Sequence, residues 1–396
     1  MLNPSKIFLI CFFVSFCLTI DVFAQGQTSS TFPTDSEGRI IRGGFGRDRA
    51  APMTSPEVLP DRRVVFRLRA PRAAEVSLTG EVLPSQGAGK MTRDSNGVWS
   101  VTIGPLAPDI YGYSFNIDGV TLSDPSNGWV FPSVRSSSQS AVRVPGQEEE
   151  FLEIKPVPHG DVRIVYFKAE SVGKVCRMRI YFPPGYDSSN ERYPVLYLIH
   201  GAPEDDESWT AIGMANIIMD NLIAQGKAKP MIVVMPSYHG LAPGASAARV
   251  QENYPYFARS FALDIMPFVE KSYRVIAAPE ARAFGGLSPP DVVPDTIIPI
   301  LDKFGYWLCT SNGLRAARME YYDKQYPGVL NDPANTKRVK LLMGDGSNAM
   351  TFTESQYMAA EFKHRGYDVT YYQTDGTHSW RWFRRYLNEL APKLFR

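Results

Sequence analysis

The fold class the sequence predicts is a doubly wound α/β unit with a mostly parallel sheet, preceded by a small all-β sandwich. Three observations carry it. Short β-forming segments recur between turn signals in the first third of the chain, with no helical period between them. In the second half, short continuous apolar runs alternate with helical periodicity. Removal of an amino-terminal export signal would leave about 370 of the 396 residues, room for two domains at roughly 100–200 residues each.

The chain opens MLNPSKIFLICFFVSFCLTIDVFAQGQ, with one lysine, an apolar run from Ile7, and the small-residue pattern Val22-Phe23-Ala24 before Gln25. This reads as a secretory signal over residues 1–24, cleaved after Ala24, so the protein is expected to be secreted or periplasmic. A transmembrane anchor is the alternative, but Ser15, Thr19 and Asp21 interrupt the run and no basic stop follows it. Phe16 before Cys17 argues against a lipoprotein, and no later segment is apolar enough to span a bilayer. Residues 25–56 are rich in Gly, Ser, Thr and Arg without an apolar period and read as a mobile leader.

Over residues 57–145, β-formers cluster at Arg63–Leu68, Glu75–Leu78, Val98–Ile103 and Tyr111–Ile117, with turn signals such as Asp118-Gly119 between them. Short strands at this spacing predict an immunoglobulin-like sandwich, closed by the Pro/Ser-rich and then acidic stretch from Pro132 to Glu150.

Residues 151–396 change character. Tyr193–Ile199 and Pro230–Pro236 are apolar throughout, as strands buried on both faces of a parallel sheet must be. Helical periodicity covers Ala215–Gly226 and Phe261–Tyr273. A strand leads to Phe284, another covers Val339–Met343, a helix runs around Glu354 to His364, and a last strand spans Asp368–Tyr372. These repeated strand–helix units predict the doubly wound sheet.

A net charge of +1 offers no electrostatic footprint for nucleic acid or an anionic membrane. Two of the four cysteines would leave with the signal; Cys176 and Cys309 remain, compatible with one disulfide, with buried free thiols the preferred reading. No metal-ligand spacing is present, and no cofactor is implied.

Gly286-Leu287-Ser288 follows an apolar segment, as a nucleophilic serine on a strand-to-turn elbow would. Serine needs a base, and His378 stands after the last predicted strand and before the C-terminal helix, where the α/β-hydrolase order Ser…acid…His places it. Each signal is weak alone; joint placement raises both. His200 precedes a tight glycine turn and reads as structural. His239 sits in a loop that could edge a substrate cleft. Trp99, Tyr111, Tyr113 and Trp129 are candidates to stack on sugars; in a sandwich alternating aromatics are core by default, and Trp129, beside the turn residues Asn127-Gly128, is the best exposed candidate.

Tyr181–Tyr186, Tyr193–Gly201, Ser208-Trp209, Pro230–Pro236, Asp264–Glu270 and Gly286-Leu287-Ser288 resemble the feruloyl and acetyl-xylan esterases of the esterase D-like carbohydrate esterase family 1. Val157-Pro158-His159-Gly160 joins them. Ser55–Val58, Gly97–Ser100 and Tyr111–Phe115 resemble family-48 carbohydrate-binding modules. The resemblance implies an esterase of plant cell-wall xylan, with a xylan-type polysaccharide or oligosaccharide as partner. It also exposes departures. Pro289 follows the serine where the family's residue supplies an oxyanion N–H, and proline has none. Pro294 and Pro299 predict an irregular or much shortened helix between Ser288 and Leu301. The other oxyanion donor should come just beyond Gly201, where Ala202 can still donate in a turn the family fills with more glycine. The family's acid position falls on Ser347 or Asn348, with Asp345 the nearest carboxylate. The expectation is an esterase-lineage protein whose hydrolysis is weak or lost; a non-catalytic glycan-binding protein and an acyltransferase are the alternatives.

Overall fold

The computed structural model describes residues 53–83, 89–131, 133, 138–202, 204–244, 247–287 and 291–396. The expected signal over 1–24 and the leader up to residue 52 lie outside the described residues, as do Ser288 and Pro289. Met53–Arg396 form one compact unit.

Two antiparallel sheets open this unit. One pairs Glu57–Val58, Val64–Arg69, Val98–Ile103 and Thr92–Arg93; the other centres on Val76–Gly80, Asp109–Ile117 and Gln139–Val144. Val64, Phe66 and Leu68 from the first sheet share a core with Val76, Leu78, Tyr113, Phe115 and Val142 from the second. Alternation along each strand sends every second side chain into that core, the pattern seen in the sequence.

The remaining strands form one eight-stranded sheet. They are β1 (Asp161–Ala169), β2 (Lys174–Phe182), β3 (Val195–Ile199), β4 (Ile232–Pro236), β5 (Arg282–Leu287), β6 (Tyr306–Thr310), β7 (Lys340–Gly346) and β8 (Asp368–Thr374). Their order is β1-β2-β4-β3-β5-β6-β7-β8, antiparallel at β1/β2 and β2/β4 and parallel everywhere else. Along β3, Val195, Tyr197 and Ile199 enter one core while Leu196 and Leu198 enter the other, which is why that strand is apolar at every position. In β5, a Cβ on Gly285 would lie 1.8 Å from the Leu308 carbonyl oxygen, and one on Gly286 would lie 2.1 Å from that of Ile199. Only glycine permits this approach.

The helices divide between the faces. On one lie α1 (Ala215–Ala224) and the C-terminal helix. On the other lie α2 (Tyr254–Ser260, continuing through a π turn into Met266–Ser272), α3 (Val292–Ile297), α4 (Ala316–Gln325) and α5 (Phe352–His364). The C-terminal helix, α6 (Trp380–Leu390), shares its core with Ile110, Phe131 and Ala141 of the β-sheets that precede it. β1, β2, β6 and α4 had no prediction from the sequence. The predicted shortening after β5 is seen: α3 lasts six residues and gives way to a 3-10 turn, Ile298–Lys303, with non-helical backbone at Ile300. Cys176 and Cys309 are free thiols.

Candidate functional site

The carboxyl ends of β3, β5, β7 and β8 converge on the residues singled out from the sequence, as ligand and catalytic groups do at strand ends of doubly wound sheets. β5 ends at Leu287, and Ser288 follows it outside the described residues. The expected nucleophile and Pro289 therefore both lie outside the described residues.

His378 sits on the short loop from β8 to α6, half-buried, its ring edge-on to Phe383 with centroids 5.1 Å apart. Burial lowers the imidazole below its ordinary value of 6.5, and the nearby Asp345 charge only partly opposes this. The ring is neutral at pH 7, the state a general base requires. Its Nδ1 is buried and has no hydrogen-bond partner among the described residues.

Asp345 is fully buried near the end of β7. Its carboxylate accepts from the Gly346 N–H at 2.8 Å, from the Thr351 hydroxyl at 2.9 Å, and from the Ser355 hydroxyl. These donors account for its inward placement. Asp345 acts on His378 through its charge, with no hydrogen bond to the ring. Ser347 and Asn348, where the resemblance put the acid, brace the histidine loop: their N–H groups donate to the carbonyls of Thr374 and Gly376, and Asn348 Nδ2 donates to the Asp375 carbonyl at 2.7 Å. A Cβ on Gly346 would lie 2.1 Å from the Gly376 carbonyl oxygen, so the two loops meet backbone to backbone.

On the other side, Gly201 is buried and Ala202 half-buried at the turn after β3. The Ala202 N–H makes no hydrogen bond among the described residues. His200 bonds the Gly201 carbonyl through Nδ1 at 2.7 Å and stacks on Tyr238 at 4.2 Å; burial holds it neutral, in keeping with a structural role. His239 is half-buried and its Nε2 bonds the Glu204 carbonyl at 2.6 Å, tying its loop to the same turn. Trp99, Tyr111 and Tyr113 are buried in the β core. Trp129, expected to be exposed, is half-buried: while its neighbours Ser126 and Gly128 stay exposed, its ring packs edge-on to Phe131 and against the core that includes α6.

Residues that the sequence did not single out complete the site. Glu204 accepts from the Trp380 indole N–H at 3.2 Å, and Trp380 packs edge-on to Trp209, whose own indole N–H donates to the Ile199 carbonyl at 3.0 Å. Asp109 and Arg384, both fully buried, pair between the Asp109–Ile117 strand and α6. An acidic residue in the turn after Gly201 was the one signal available for Glu204. Nothing local marked Asp109.

The fold is that of an α/β-hydrolase-type protein, with His378 and Asp345 beside the strand ends. Residues 169–288 match the family described as "Putative esterase". The chain is 33% identical over 342 residues to the "Endo-1,4-beta-xylanase/feruloyl esterase" of Xylanibacter ruminicola, covering 84% of this chain and 44% of that one; it thus spans less than half of that relative. Among solved structures, the enterochelin esterase of Shigella flexneri superposes with a TM-score of 0.65 at 15% identity, covering 86% of this chain and 95% of that one. A ferulic acid esterase superposes with a TM-score of 0.51 at 21% identity, covering 60% and 99%. These two likenesses are of fold.

Proposed function

We propose that this protein is an exported serine esterase of the feruloyl/acetyl-xylan type, carrying an immunoglobulin-like, carbohydrate-binding-module-like domain over 57–145 ahead of its hydrolase domain over 151–396. Its turnover lies at least ~10²-fold below that of a relative with a complete oxyanion hole, because Pro289 has no N–H to give. The observation that carries this reading is the similarity to a protein named as a xylanase/feruloyl esterase, which runs over 84% of the chain. The neutral His378 beside the strand ends supports it.

In this reading Ser288 Oγ attacks the ester carbonyl while His378 takes its proton. The acyl–oxygen bond then breaks and His378 returns the proton to the leaving sugar hydroxyl. Water, deprotonated by the same ring, releases the acid and regenerates the serine. The Ala202 N–H supplies one donor to the oxyanion, and Asp345 stabilises the imidazolium through its field. Gly201 shapes the turn. The chemistry calls for no cofactor. The test is hydrolysis of methyl ferulate and an aryl acetate by wild type and Ser288→Ala. Slow turnover that vanishes in the variant is expected; an ordinary esterase rate, or one that survives the substitution, overturns the reading.

The unpartnered His378 Nδ1 and the three donors on Asp345 favour a second reading, a glycan-binding protein without hydrolysis. Retardation by arabinoxylan that is equal for wild type and Ser288→Ala, with no turnover in either, would select it. A xylan site in the cleft would have His239 at its edge. One in the β-sheets would involve the partly exposed face of Trp129.

A further inference from the structure

Trp380 opens α6 two residues after His378, and two carboxylates from distant parts of the chain close on it. Glu81 follows the Val76–Gly80 strand and accepts from the Gly112 N–H at 3.1 Å. The Trp380 backbone N–H lies near the same carboxylate and partly opposes its rise. That N–H belongs to the first turn of an eleven-residue helix whose N-cap residue, Ser379, makes no side-chain cap bond. Glu81 therefore places a carboxyl group from another layer at a helix start that has no side-chain cap of its own. Glu204, in the turn that carries Ala202, takes the indole N–H of the same tryptophan through Oε1, while its Oε2 is buried without a partner.

We propose that Glu204 and Glu81 are positioning residues for His378: Glu204, by holding the indole N–H of Trp380, and Glu81, by standing at the start of α6 anchored on Gly112, fix the β8–α6 loop against the Ala202 turn. The clamp matters because His378 has no hydrogen bond of its own at Nδ1 to orient the ring. Orientation of the base then falls to the loop.

Two acidic groups at one tryptophan also make the clamp sensitive to pH. Burial pushes Glu204 up to about 7, with the Trp380 bond opposing and the charges of Glu81 and Asp205 adding to the rise. Burial likewise raises Glu81, with Gly112, Arg384 and Trp380 opposing and Asp109 adding. The remaining ring at this turn, His239, bonds the Glu204 carbonyl oxygen rather than its carboxyl. A carboxyl whose folded value lies above its ordinary one favours the folded state fully below pH 4.5 and loses that contribution as pH rises through about 7. Over this window Glu204 gains its charge, which changes the field at Trp380 and the loop it opens.

The inference rests on the esterase reading for its consequence, so the test has two readouts on the full chain. One is the NMR titration of the His378 imidazole, assigned with His378→Gln; the other is turnover of an aryl acetate. Glu81→Ala is expected to move the His378 resonance and bring its titration toward 6.5, the ordinary value, and to lower kcat about tenfold with KM unchanged. Glu204→Gln keeps an acceptor for the indole but cannot ionise, so the inflection of the His378 resonance that follows Glu204 at about 7 should vanish, leaving the ring's own titration. An unaltered His378 resonance and titration in both variants overturns the proposal. If Glu81→Ala fails to fold, Glu204→Gln decides alone: a pH dependence identical to wild type overturns it. Movement of the His378 resonance with no turnover even in wild type refutes the esterase reading and leaves the clamp standing.

Discussion

The junctions β5–α3 and β8–α6 lie at the same end of one sheet, and they are held in opposite ways. After β5 the chain meets Pro294 and Pro299, and α3 gives way within six residues to a 3-10 turn. Thr296 bonds back to the Val292 carbonyl at 2.7 Å within the segment, and Asp295 meets Arg318 and Tyr322 of the next helix, α4. After β8 the chain enters an eleven-residue helix whose apolar face is continuous and whose Arg384 is buried on Asp109 and on the carbonyls of Ile110 and Ile212. Arg385 and Arg381 pair with the same aspartate. The segment after β5 is thus limited by its own prolines and tied to the neighbouring helix, while the loop that carries His378 is secured by partners far away in the chain. An enzyme can lose precision at the first without losing the second.

The sharpest way to break this contrast is His378→Ala, which removes the group that the base side exists to hold; aryl acetate turnover should fall ~10³-fold or more, with the fold unchanged by circular dichroism. Restoring the missing donor tests the other side. Pro289→Ala supplies an N–H at the expected oxyanion position, and kcat should rise by ~10² if backbone chemistry alone limits that junction. Asp109→Ala leaves Arg384 buried without its carboxylate, and urea unfolding should show a loss of about 3–5 kcal/mol, far above the change from Asp295→Ala at the half-exposed partner of Arg318. Because burial lowers His378, the neutral base persists on acidification: the acidic limb of the kcat/KM profile should fall below pH 6.5, where an exposed histidine would already be half protonated. The smallest effect is Asp345→Asn, whose residue acts on the ring by charge alone. Its turnover should drop by about tenfold or less, well short of His378→Ala.

The strands of the β-sheets and the alternation of the α/β unit were legible because periodicity is a local property, written residue by residue in Val64–Arg69 or Val195–Ile199. The shortened helix after β5 was legible for the same reason, since proline limits the backbone wherever it stands. β1, β2 and β6 were not: Asp161–Ala169 and Lys174–Phe182 mix charged and apolar residues at a twisted sheet edge, and Tyr306–Thr310 follows directly on an irregular turn. His378 and Asp345 could be picked out as candidates by type and order. Whether they touch could not.

The sequence by itself determined the α/β-hydrolase-type fold class, the place of His378 between the last strand and the C-terminal helix, and the absence of an N–H at Pro289, because each follows from the chemistry of neighbouring residues. Only the tertiary structure decided that Asp345 spends its carboxylate on Thr351 and Ser355, and that Trp129 packs inward. It likewise decided that Asp109 reaches an arginine 275 residues away and that Glu81 and Glu204 meet on one tryptophan. Such pairings are set by which layers pack together, and a buried charge takes whichever partner that packing brings within reach of a hydrogen bond.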